Sequence, residues 1–214
     1  MRNGKKRSKT IIELLEKLPV FTFNDFLGVE ESRSYLRMVL HRYEKRGKLL
    51  RLKKGIYTNT AYIERLKNRG EMEVFTDFIA NFIYSPSYLS LETILYRHNL
   101  LTEIPVNLTS VSKNKTAFFN NKLGNFIYHT IKPSLFCGFE LSEESGFSII
   151  RATKAKAMFD FLYLRKNILP NKEAVRELRL NKENLSRDDI KELNKHVALE
   201  GSKKLKIILS YLLD

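Results

Sequence analysis

Between Thr10 and Asn59 three helical stretches run directly into a short basic hairpin, and this order restricts the fold more than any other feature of the sequence. "TIIELLEKL" (10–18) sets Ile11, Leu14, Leu15 and Leu18 at helical spacing, and Pro19 ends it. "TFNDFLG" (22–28) opens with Thr22 and Asp25 at the spacing that caps a helix start, and Gly28 suits the stop. A third helix is expected from Ser32, as N-cap, to Gly47. After Gly47, "KLLRL" reads as a strand, "KKG" as a turn and "IYTN" as the return strand.

The third helix is two-faced. At 100° per residue, Leu36, Val39, Leu40 and Tyr43 fall on one side; Arg33, Ser34, Arg37, His41, Glu44 and Lys45 fall on the other. Helix, short helix, amphipathic helix and basic hairpin is the element order of a winged helix-turn-helix. In that arrangement the N-terminal half of the second helix of the turn lies in the major groove, where side chains reach base edges. Arg33, Ser34 and Arg37 occupy that half, with His41 and Lys45 further along toward the backbone. From the hairpin, Lys48, Arg51, Lys53 and Lys54 are expected to face phosphates or the adjacent minor groove. The "RNGKKRSK" segment (2–9), with Lys5, Lys6 and Arg7, suits a basic arm that adds phosphate contacts.

Charge supports the same partner. The chain of 214 residues carries 38 Lys+Arg against 24 Asp+Glu, a formal net charge of +14. Residues 1–70 hold 18 of the basic and 7 of the acidic residues, net +11, which leaves 20 and 17, net +3, for residues 71–214. One cationic module joined to a near-neutral one follows, and double-stranded DNA is the expected ligand.

The remainder reads as helices around a small sheet. "VFTDFIANFIY" is a helix, and Ser87 or Ser90 is expected to cap another that carries Leu91, Ile94 and Leu95. Strands are expected at 106–112, 125–132 and 146–154, with a turn over Asn121–Gly124. "KAKAMFDFLYLRKN" returns to helix, and helical segments follow at about 172–180, 187–197 and 201–213. The expected fold class is therefore α+β: a winged helix-turn-helix over 1–70, then a mixed α/β domain over 71–214 that ends in a helical tail.

Several chemistries lack their residues. Cys137 is the only cysteine, which excludes an intrachain disulfide and a cysteine-based zinc site and favours a reducing cytoplasmic setting. Glycines are dispersed rather than gathered in a phosphate loop, and His98, His129 and His196 lack metal-ligand spacing. No cofactor, catalytic residue, metal site or membrane partner is expected. The one enzymatic alternative is a metal-dependent nuclease that uses Asp160 and Lys166 with Glu140, Glu143 or Glu144. Asp160 sits in an apolar helical run, where a local salt bridge is the simpler role.

Four phrases, "KRGKLLRLKKGIY", "SPSYLSLETILYRHNLL", "NLTSVSKNKTAFFNNKLGNFIYHTIKPSLFCGF" and "RATKAKAMFDFLYL", together resemble the AbiEi antitoxin family of abortive-infection (type IV) toxin–antitoxin systems. The resemblance runs over roughly residues 10–165. It implies an N-terminal winged helix that binds operator repeats and represses its own operon, in two or more copies on the DNA. It also implies a C-terminal domain for antitoxicity in phage defence, paired with a nucleotidyltransferase toxin. The family's DNA-binding role falls on Arg33, Arg37, Lys48, Arg51, Lys53 and Lys54. In the second domain the matching motif positions are Ser87, Tyr88, Ser90, Glu92, Tyr96 and His98, for which helix capping and partial burial are the structural alternative. Neutralisation of a toxin by direct contact is a further reading of that domain.

Overall fold

A computed structural model of the chain describes residues 13, 15, 18–26 and 32–214. The architecture is mixed α+β, with two compact units. The described part of the first runs to Thr76 and includes Phe119–Gly124; the second comprises Asp77–Phe118 and Asn125–Asp214.

In the first unit, β1 (Val20–Thr22), β2 (Leu49–Lys53) and β3 (Ile56–Asn59) form an antiparallel sheet in the order β1-β3-β2. The hairpin turn between β2 and β3 needs Gly55 at φ +80°, a region that costs an L side chain about 1–2 kcal/mol. Helix α1 (Arg33–Lys45) starts where expected: the Ser32 hydroxyl accepts from Tyr35 N at 3.3 Å. Its apolar stripe of Leu36, Val39 and Leu40 is buried with Leu15, Phe21, Phe26, Leu49 and Tyr57, and Tyr43 packs against that cluster. Burial of each such side chain contributes about 1.5–3 kcal/mol, so the stripe determines which face α1 turns outward. Helix α2 (Thr60–Arg69) follows β3 directly, capped by Asn59, whose side chain accepts from Ala61 N at 2.8 Å and donates to Leu15 O at 3.1 Å.

The helix expected at 22–28 is not formed. Thr22 ends β1, and Phe23–Phe26 makes one 3-10 turn; residues 27–31 lie outside the described residues. Pairing across the sheet decides this, since Phe21 sits opposite Tyr57 with rings stacked at 6.0 Å. Thr22 and Asp25 still bond at their expected spacing, in one direction: Thr22 N and Oγ1 both donate to Asp25 Oδ2, at 2.5 and 2.9 Å, while Thr22 Oγ1 accepts from Asn24 N at 3.2 Å. Of the first expected helix, Glu13 and Leu15 are helical and the rest of 10–17 lies outside the described residues.

Helix α3 (Met72–Ile83) crosses from the first unit to the second. The larger sheet contains β4 (Ser87–Leu89), β5 (Asn107–Ser112), β6 (Ala117–Asn121), β7 (Gly124–Thr130), β8 (Phe139–Glu144) and β9 (Phe147–Ala152) in the order β6-β7-β5-β4-β9-β8. Pairing is mixed: β5/β7 and β4/β9 are parallel, whereas β4/β5 and β8/β9 are antiparallel. Helix α4 (Glu92–Arg97) lies between β4 and β5 in sequence, and α5 (Lys154–Arg165), α6 (Lys172–Arg176), α7 (Arg187–Glu200) and α8 (Lys203–Leu213) complete the unit.

In the larger sheet three strands, β4, β6 and β8, differ from expectation. The central strand β4 is buried at every residue, so it shows no alternation of apolar and polar positions. The expected caps fail for the same reason. Ser87 is the first residue of β4, Ser90 points elsewhere, and Leu91 takes the N-cap position at φ +57° with no side-chain cap. The carbonyl of Leu91 accepts from Ile94 N and Leu95 N, at 3.1 and 2.9 Å.

Candidate nucleic-acid interface

The stripe that buries α1 leaves Arg33, Ser34 and Arg37 exposed along its first turns and His41 and Lys45 exposed further on. Among the described residues no carboxylate pairs with Arg33, Arg37 or Lys45, while His41 Nδ1 stands 4.0 Å from Glu44. Ser34 adds an exposed hydroxyl on the same turns. A row of donors at the N-terminal half of an exposed helix, on a rigid packed face, is what base-edge and phosphate recognition requires.

The hairpin presents its cations unequally. In β2 the burial alternates around Arg51, so Leu50 and Leu52 point inward and Arg51 outward. Lys54 is exposed in the turn, and among the described residues neither Arg51 nor Lys54 has an acidic partner. Lys48 is exposed with its ammonium 5.8 Å from the centre of the Tyr43 ring. Lys53 departs from the simple picture: it is half-buried and lies 4.7 Å over the ring of Phe119. Lys5, Lys6 and Arg7, and with them the 2–9 arm, lie outside the described residues.

The second-unit candidates separate by burial. Ser87, Tyr88 and Ser90 are buried; Glu92 and Tyr96 are half-buried; His98 is exposed at the end of α4. Tyr88 Oη and Ser90 Oγ both donate to Asp160 Oδ2, at 3.0 and 2.8 Å. Asp160 Oδ1 accepts from Lys156 Nζ at 2.6 Å, and the same ammonium donates to Leu135 O at 2.8 Å. Desolvation pushes the Asp160 carboxyl up, against the opposing pull of Lys156 and the two hydroxyls. Burial likewise raises the Tyr88 phenol, and the Asp160 charge adds to it. All four side chains are 0% exposed, so the cluster holds β4 to α5 and presents no group to a ligand. Lys156 is the partner of Asp160 that the candidate residues lacked, and its i,i+4 spacing inside an apolar helix is the signal of such a pair.

The residues of the nuclease alternative make separate contacts. Asp160 is held by Lys156, Glu144 by Arg151 and Lys166 by Glu200, and Glu140 and Glu143 are exposed on β8. Glu92, the first-turn acid of α4, pairs with Arg165. Among the described residues no three His, Cys, Asp or Glu side chains are grouped to hold a metal ion, and no helix is long and apolar enough to cross a membrane.

Residues 9–60 match the family model of the AbiEi antitoxin transcriptional regulators. Over those residues the chain is similar to AbiEi antitoxin regulators. The match takes in β1, α1 and the β2–β3 hairpin and ends at the first residue of α2, so it coincides with the elements that display the basic face. Of the phrases that suggested AbiEi, "KRGKLLRLKKGIY" falls inside the matched residues and the other three lie beyond them. A comparison with curated proteins finds none that matches. The matched model describes transcriptional regulators, which agrees with the basic surface that this segment displays.

Proposed function

We propose that the protein is a DNA-binding antitoxin that represses its own toxin–antitoxin operon. The observation that supports this best is the exposure of Arg33, Ser34 and Arg37 on α1 and of Arg51 and Lys54 on the β2–β3 hairpin, within a segment matched by an antitoxin-regulator family. In this reading residues 1–70 form a winged helix-turn-helix: α1 is the recognition helix, and the hairpin is the wing on the phosphate backbone. Arg33 and Arg37 read bases, His41, Lys45, Lys48 and Lys54 contact phosphates, and Lys5, Lys6 and Arg7 extend the contact as an arm. Operator repeats take two or more copies.

Residues 71–214 form the antitoxicity domain, with no catalysis of their own, and counteract a nucleotidyltransferase toxin encoded nearby in a type IV abortive-infection system. Of its candidate residues, Glu92, Tyr96 and His98 have side-chain surface to offer, while Ser87, Tyr88 and Ser90 act through packing. The setting is the cytoplasm.

Gel shift with DNA from immediately upstream of the gene tests the reading. Binding is expected to weaken with a log–log salt slope near −5 if about six phosphates are contacted. Equal affinity for upstream and random-sequence duplexes would remove the repressor assignment.

A further inference from the structure

The β2–β3 hairpin is not the whole of the basic loop surface in the first unit. Pairing of β2 with β3 shifts register between Arg51 and Lys53: Arg51 lies opposite Tyr57 and Lys53 opposite Ile56, which leaves Leu52 as the extra residue of a bulge. A bulged residue lacks its ladder partner, and an unmet buried carbonyl costs about 1–3 kcal/mol. Here Leu52 O accepts from Asn121 Nδ2 at 3.1 Å, from a residue 69 positions away. One strand position further, Lys53 Nζ sits 4.7 Å over the Phe119 ring. Residues Phe119–Gly124, the β6–β7 tip, thus pack as part of the first unit.

The tip itself is held rigidly. Asn121 Oδ1 accepts from Leu123 N at 2.8 Å, so one amide both closes the turn and grips the bulge. Between those two residues stands Lys122, exposed, its ammonium without a carboxylate partner among the described residues. Its neighbour in the chain is thus bonded to the strand that carries Arg51 and Lys53.

We propose that the β6–β7 tip is a second wing: Lys122 contacts a DNA phosphate alongside Arg51 and Lys54, on a surface that Asn121 and Phe119 lock to β2. The proposal rests on the DNA-binding reading and adds a contact from outside the matched 9–60 segment. Lys53, seated on Phe119, then serves chiefly to fasten the two loops together.

The test uses the full chain and two duplexes, one from upstream of the gene and one of random sequence, titrated across salt. Lys122→Ala should lower the salt slope by about 0.9 and weaken both duplexes equally, about fivefold at 0.15 M salt, as expected for one lost phosphate contact. Lys122→Arg should keep affinity and slope. Lys195→Ala, which removes one exposed charge from α7, should change neither. A Lys122→Ala protein that matches the Lys195→Ala protein in affinity and slope, while wild type binds, overturns the second wing and leaves the DNA-binding reading standing. Absence of binding by wild type removes both. An unchanged unfolding midpoint for Lys122→Ala is expected, because the side chain is exposed.

Discussion

Lys156 Nζ lies 2.6 Å from Asp160 Oδ1, one helical turn along α5, and neither side chain reaches solvent. A charge buried without its partner is far costlier than the pair. Lys156→Met should therefore destabilise the fold by about 3–5 kcal/mol, measured by chemical denaturation. Lys156→Met with Asp160→Asn should recover part of that loss, because no uncompensated carboxylate remains. A double variant as damaged as the sum of the singles would show that the two residues do not act as a pair.

On α1, Arg37→Ala should cost about 1–3 kcal/mol of affinity for the upstream duplex and narrow the gap between it and random DNA. Lys54→Ala should weaken both duplexes alike, since a phosphate contact carries no sequence information. Competition gel shift separates the two patterns. Uniform weakening by Arg37→Ala would move that arginine from base reading to the backbone.

Two glycines on left-handed backbone should respond differently to alanine. Gly47 stands at φ +68° with nothing within 4 Å of a Cβ, so Gly47→Ala should cost only the strain, about 1–2 kcal/mol. At Gly138, φ +73°, the Cβ would come within 2.7 Å of His196 Cε1 and Nε2, so overpacking adds about 1–3 kcal/mol to the same strain. Combining Gly138→Ala with His196→Ala should relieve the clash but not the strain, and thermal melts of the single and double variants resolve the two.

Acid should expose the Glu200 pair. Burial alone would raise this carboxyl, but the bonds from Lys166 Nζ and Ser202 overcome it and hold it at about 2, against an ordinary 4.5. Between those values the unfolded chain binds the extra proton. The contribution of about 2–3 kcal/mol is thus fully present above the unfolded pKa and lost as pH falls from about 5 toward 2. Denaturation across that range should show the loss in wild type, and Glu200→Gln should flatten it.

The elements legible from the sequence are those whose information is local. Leu36, Val39 and Leu40 recur at a helix's own period, and Ser32 marks its start, so α1 and its outward Arg33–Arg37 face could be read within a few turns of chain. The AbiEi resemblance was legible for the same reason in the segment that the family model matches. The strand that replaces the expected helix at Thr22 was not, because its cause is Tyr57, 36 residues away from Phe21.

By itself the sequence determined the amphipathic helix, the hairpin after it and the concentration of charge in the first third. Tertiary structure alone decided what those charges stand beside. A fully buried strand such as β4 has no polar face to give it a period, and Ser90, Tyr88 and Asp160 meet only when β4 and α5 pack. The Asn121 amide finds the Leu52 carbonyl only because a bulge has left it unpaired, 69 residues along the chain. Period and capping are properties of neighbouring residues; burial, bulge satisfaction and ion pairing across elements depend on which distant backbone arrives, and no local pattern encodes that.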